Sequence, residues 1–225
     1  MKRKIGSLLL AFALVSASAS AGADSVLQSA KQTKALNVHW DTRITRSQDW
    51  LNVTYSSEKG MEIPQIWQFE YTNVLFQENG EERSVATSGC GATCVAMVVE
   101  YFTGESVDPE KLFSRSVIDK RYAGSGWSVD SVRHYLTAYG VKATVIGADS
   151  EQILAALEAG NPVIELTGPG IFTTGGHYIV LRGITSDGKI LINDPNSPSN
   201  CQKAFPLETL LREAKGETPF VICAK

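Results

Sequence analysis

Three side chains in this sequence have the types and settings that nucleophilic catalysis needs. Cys90 lies between Gly89 and Gly91 at the predicted start of an apolar helix, CGATCVAMVVEYF, residues 90–102. A helix N-terminus carries partial positive charge. A thiol placed there loses its proton more easily and is a better nucleophile. Flanking glycines leave room for a substrate backbone to approach. Taken alone, Cys90 reads equally well as an inert core cysteine. Of the three histidines, His39 falls in an irregular stretch and His134 within an amphipathic helix, whereas His177 follows Gly175-Gly176 and opens an apolar run, HYIVLRGI. A histidine at a strand mouth beside a glycine loop is placed to serve as a base. Asn193-Asp194 ends the next apolar run, and a carboxylate there can orient the ring. A thiol, an imidazole and an acid in this arrangement are worth more together than singly.

The elements that must position these groups follow from periodicity and punctuation. Gly104 is a stop for the Cys90 helix. Asp108-Pro109-Glu110 opens another helix, with proline in the first turn. Ser128 caps a helix running to Tyr139, with Gly140 as its stop. Strands are expected at 141–146, 162–166, 177–184, 189–193 and 219–223, and short helices at 150–160 and 207–214. The turn Ser186-Asp-Gly188 makes a hairpin of the strands on either side. That hairpin brings Asp194 towards His177. Residues 63–80 read as a loop with embedded aromatics, and Leu51–Tyr55 as an edge strand. Helices gather early and strands late, which predicts an α+β fold with a helical lobe packed on an antiparallel sheet.

Three motifs in this order, Ser88-Gly-Cys-Gly-Ala-Thr-Cys-Val-Ala-Met97, Gly175-Gly-His-Tyr-Ile-Val-Leu181 and Ile192-Asn-Asp-Pro195, resemble those of the C39-like peptidase family of papain-like cysteine peptidases. The resemblance spans about residues 61–223. It implies a papain-like fold and peptide-bond hydrolysis through an acyl-enzyme. Cys90 is then the nucleophile, His177 the base and Asp194 the orienting acid. It also implies an oxyanion-stabilising glutamine upstream of the nucleophile. The stretch Ile63-Pro-Gln-Ile-Trp-Gln-Phe-Glu-Tyr71 points to Gln68, with Gln65 as the second choice. The bacteriocin-processing branch carries that glutamine six positions before the cysteine, where this chain has Ser84. Gly89, Gly91, Trp127, Gly175 and Gly176 are the candidates for contact with substrate, Trp127 reading equally as a core anchor. The chemistry calls for no cofactor. Cys94 reads as core, because zinc would need ligands that no second Cys/His pair supplies.

The ends of the chain and its charge bound the setting. Residues 1–23 combine Lys2, Arg3 and Lys4 with an apolar run and a Ser/Ala tail, the pattern of a secretory signal peptide. Its removal takes the net charge from −3 to −6. No basic stripe suggests nucleic acid as a partner; the apolar run of residues 1–23 is too short to span a bilayer, and no later stretch is long enough. The expected organisation is a signal peptide (1–23), an N-terminal arm or pro-region (24–60) and the peptidase domain (61–225). The expected protein is a secreted or periplasmic monomer acting on peptides or proteins. An oxidising compartment would allow Cys201 and Cys223 to pair. Asn52-Val-Thr54 matches a glycosylation acceptor. Exporter-linked members of the family cleave leader peptides after a double glycine. This sequence offers neither spanning segments nor a phosphate loop, so an extracellular peptidase or amidase is the better expectation, with a cell-wall amidase or endopeptidase, which uses the same chemistry, as an alternative. The contrasting reading is a binding module that keeps the fold without catalysis.

Overall fold

The computed structural model describes residues 53–124 and 126–225. The signal-peptide reading, most of the arm, Asn52 of the glycosylation motif and Ser125 lie outside the described residues. Among the described residues no helix is long and apolar enough to cross a membrane.

Local chemistry sets the helix ends. Helix α1 (Val85–Ser88) is one turn, begun by a capping box in which Ser84 and Thr87 satisfy each other's backbone N–H groups. Helix α2 (Cys90–Thr103) follows after Gly89 and stops at Gly104, whose φ of 72° suits glycine. Asp108 caps α3 (Pro109–Ile118), Ser128 caps α4 (Val129–Ala138) and Asp149 caps α5 (Ser150–Glu158), each through its side chain. Two later helices are short: α6 (Pro198–Cys201) and α7 (Leu207–Glu213).

The strands are β1 (Thr54–Tyr55), β2 (Phe76–Glu78), β3 (Glu81–Arg83), β4 (Lys142–Ile146), β5 (Val163–Thr167), β6 (His177–Ile184), β7 (Ile190–Asn193), β8 (Lys203–Phe205) and β9 (Phe220–Ala224). Strands β2 and β3 form a separate hairpin. The other seven make one antiparallel sheet in the order β1-β8-β7-β6-β5-β9-β4. The expected β6–β7 hairpin is present, with a register shift between Leu181 and Gly183.

The sheet has a core on each face. On one face Tyr178, Val180, Ile164 and Val221 join Val95, Met97 and Val98 of α2 and Val132 and Leu136 of α4. On the other, Ile179, Leu181, Val163 and Phe220 join Ile153 and Leu157 of α5 and Leu207 and Leu210 of α7. This explains why β6 reads as an unbroken apolar run: its alternate residues face two cores. One position breaks the rule. Glu165 of β5 is fully buried, and neither carboxyl oxygen has a hydrogen-bond partner. Burial, reinforced by the charge of Glu213, holds its carboxyl well above the usual range.

Two expectations are corrected. The stretch 63–80 is not all loop: it holds a 3-10 turn at Gln68–Glu70 and strand β2. Cys201 and Cys223 are free thiols, as are Cys90 and Cys94. Cys223 lies on β9, whereas Cys201 is in α6 beside β7. Strands β6 and β5 stand between. At ~4.8 Å per strand that gap exceeds the ~7 Å a disulfide can bridge. The edge-strand reading survives as β1, which pairs with β8. Met61 is tied to the Arg182 carbonyl at 2.7 Å. Thr54, Tyr55 and Ser56, all ahead of position 61, are thus bound to the sheet edge.

Candidate active site

Cys90 is half-buried at the first position of α2, and its predecessor Gly89 supplies no capping side chain. The first N–H groups of α2 are thereby left to the thiol, and those of Gly91 and, from β6, Tyr178 both reach it. Gly89 has a steric role. A Cβ there would lie 2.6 Å from the Val85 Cα, so only glycine lets α1 turn this tightly into α2.

His177 is buried at the start of β6. Its Nε2 lies 2.8 Å from Asp194 Oδ1, and its ring is close enough to the Cys90 thiol for each to favour the other's charged form. With Nε2 committed to the acid, Nδ1 is the nitrogen that faces sulfur. Asp194 is not directly opposite His177. Asn193 pairs with Val180, which sets Asp194 against Ile179, two residues along β6. The contact is a diagonal one across the hairpin, within reach of these side chains.

Charge and burial oppose each other at this pair. Burial works to raise the Cys90 thiol. The His177 hydrogen bond and positive charge, with the two backbone N–H groups, outweigh it and hold the thiol below its ordinary value. Burial works to lower His177. Its bonds to Asp194 and Cys90, and their negative charges, carry it up to about 10. Both directions favour a thiolate–imidazolium pair.

The acid is itself held from several sides. Asp194 Oδ1 also accepts the Asn196 N–H at 2.9 Å, and Oδ2 accepts Asn200 Nδ2 at 2.8 Å. Its backbone N–H meets Cys201 Sγ at 3.1 Å, and its carbonyl accepts Gln65 Nε2 at 3.3 Å. Gln65 is therefore committed to the main chain of the acid. Gln68 is buried, and its backbone N–H donates to the Pro195 carbonyl. Its Nε2 donates to the Ala86 carbonyl in α1, the turn leading into Cys90, while Oε1 has no partner. An amide nitrogen carries two N–H groups, and the Ala86 carbonyl takes one of them. Ser84, at the spacing where another branch has glutamine, is the cap of α1.

The structure gathers Cys90, His177 and Asp194, and leaves some other candidates elsewhere. Gly91 is packed in the core, where an added Cβ would press on Tyr178 and Trp127. Trp127 is also buried, stacked on Tyr135 with its Nε1 donating to Ser116 Oγ at 2.9 Å, so it is a core anchor and no cleft wall. Cys94, one turn after Cys90, is buried with Sγ against the Tyr178 carbonyl. Gly175 and Gly176 are exposed beside His177, and Lys215 Nζ lies 3.3 Å from the Gly175 carbonyl. Asn200 escaped the sequence reading. The adjacent Ser197-Pro198 is a helix-start signal that would have marked its setting.

The chain belongs to the Peptidase C39-like family, whose model matches residues 69–213. That match begins one residue after Gln68. A structure from Bacillus anthracis described as a C39-like peptidase shares the fold, with a TM-score of 0.52 at 18% identity over 75% of this chain and 98% of its own. The peptidase domain of Streptococcus ComA, an ABC transporter involved in quorum sensing, is 21% identical over 61% of this chain and 92% of its own, with a TM-score of 0.48. A double-glycine-motif protease of an AMS/PCAT transporter, solved with a leader peptide, is 20% identical over 76% and 95%, with a TM-score of 0.46. A comparison with curated proteins found no match.

Proposed function

We propose that this protein is an exported cysteine peptidase in which Cys90, His177 and Asp194 form the catalytic triad. The observation that carries the reading is the His177 ring, held between Asp194 Oδ1 at 2.8 Å and the Cys90 thiol. The thiolate attacks a peptide carbonyl carbon and a C–S bond forms. The oxyanion is met by the Cys90 backbone N–H and the second Nε2 hydrogen of Gln68. His177 Nδ1–H gives its proton to the departing amine as the C–N bond breaks, leaving a thioester. Water, deprotonated by His177, then releases the acid and restores the thiol. Asp194 holds the ring in the tautomer this cycle needs.

Incubation of the purified protein with a peptide library under reducing conditions tests the proposal. Cleavage by the wild type and none by Cys90→Ala is the expected result. Cleavage undiminished in Cys90→Ala would refute it. A wild type that binds peptides and cuts none would instead be a binding module.

A further inference from the structure

We infer that Asn200 is a positioning residue of this site, so that the functional unit is a relay of four side chains, Cys90, His177, Asp194 and Asn200. The inference rests on the reading of the triad just given.

Asp194 is fully buried, and a carboxylate out of water needs a donor on each oxygen. Oδ1 has two, the His177 ring and the Asn196 N–H. Oδ2 has one side-chain donor, Asn200 Nδ2 at 2.8 Å. A carboxylate only accepts, so the nitrogen of the Asn200 amide must face it. Asn200 is itself nearly buried and sits in α6, where its backbone N–H is fixed by Ser197 Oγ and the Ser197 carbonyl. The next residue, Cys201, receives the Asp194 N–H. The single turn α6 therefore grips the acid by both its carboxylate and its main chain. Without Nδ2, Oδ2 has no donor. The carboxylate is then held through Oδ1 alone, and it holds the His177 imidazolium less well. Less positive charge then stands beside Cys90, and its thiol rises. Asn200 touches neither substrate nor sulfur, so its influence passes through Asp194.

The test measures the rate of Cys90 alkylation by iodoacetamide against pH in the full-length protein, with adducts located by mass spectrometry. Asn200→Ala should slow alkylation at pH 6 by roughly ten- to a hundredfold, the weight of one charge-assisted hydrogen bond, and move the profile to higher pH. Asn200→Asp keeps the shape but sets a second carboxyl against Oδ2. It should be at least as slow at neutral pH, and its rate relative to wild type should climb as the pH falls and the new carboxyl becomes a donor. A purely structural asparagine would lower the melting temperature without that pH-dependent recovery. Wild-type profiles in both variants, with the profile lost in His177→Ala, would overturn the role of Asn200 alone. An unchanged profile in His177→Ala would overturn the triad and this inference with it.

Discussion

At Cys90 two influences of opposite sign meet. Burial favours the neutral thiol, and His177 with two backbone N–H groups favours the thiolate. The second wins only while the ring is charged, which it stays up to about pH 10 because Asp194 and Cys90 both stabilise the cation. The sign of a substitution follows. His177→Ala removes the larger opposing influence and leaves only the two backbone N–H groups against burial, so the thiol rises and alkylation at mildly acidic pH falls by at least tenfold. Equal rates in the two proteins would show that the ring does not set the thiol. The other cysteines make the measurement clean. Burial raises Cys94 and Cys223, and pushes Cys201 up to about 11.

Among elements, the junction of α1 and α2 places Cys90. Gly89 is there because a side chain would collide with Val85 backbone. Gly89→Ala should cost about 1–3 kcal/mol of stability as the two helices move apart. It should also slow Cys90 alkylation in the molecules that remain folded. A variant with wild-type unfolding and alkylation would show that the close approach is dispensable. Elements of this kind divide by how they declare themselves in sequence. Helix α2 and strand β6 were legible because both are long, apolar and bounded by glycine. Cys90 and His177 were legible because they begin these elements, and Asp194 because it follows the strand that hairpins with β6. Helices α1 and α6 are single turns with no hydrophobic period to detect, and β8 has three residues. Asn200 was invisible for that reason: its role depends on a turn too short for periodicity to reveal. The second core was missed because the apolar run of β6 shows that the strand is buried but not that helices cover both faces.

At the scale of the whole molecule, Glu165 links stability to pH. Its folded-state carboxyl sits well above the ordinary value, so between about pH 4.3, the unfolded value, and that raised value the native state binds more protons than the unfolded one. Stability therefore falls as pH rises through this window. Glu165→Leu should remove that slope and raise stability at neutral pH by about 1–3 kcal/mol, the cost of a buried polar group without a partner. Denaturant melts at several pH values measure both, and an unchanged slope would show that Glu165 titrates normally. The two-faced sheet has a wider consequence. His177 stands on a strand whose residues are committed to one core or the other, so its place is fixed by the packing on both faces of the sheet. Changes in what the site accepts must then fall on segments outside that packing, such as the exposed residues 174–176 beside His177. The fold separates a chassis that tolerates little change from a rim that is free to vary.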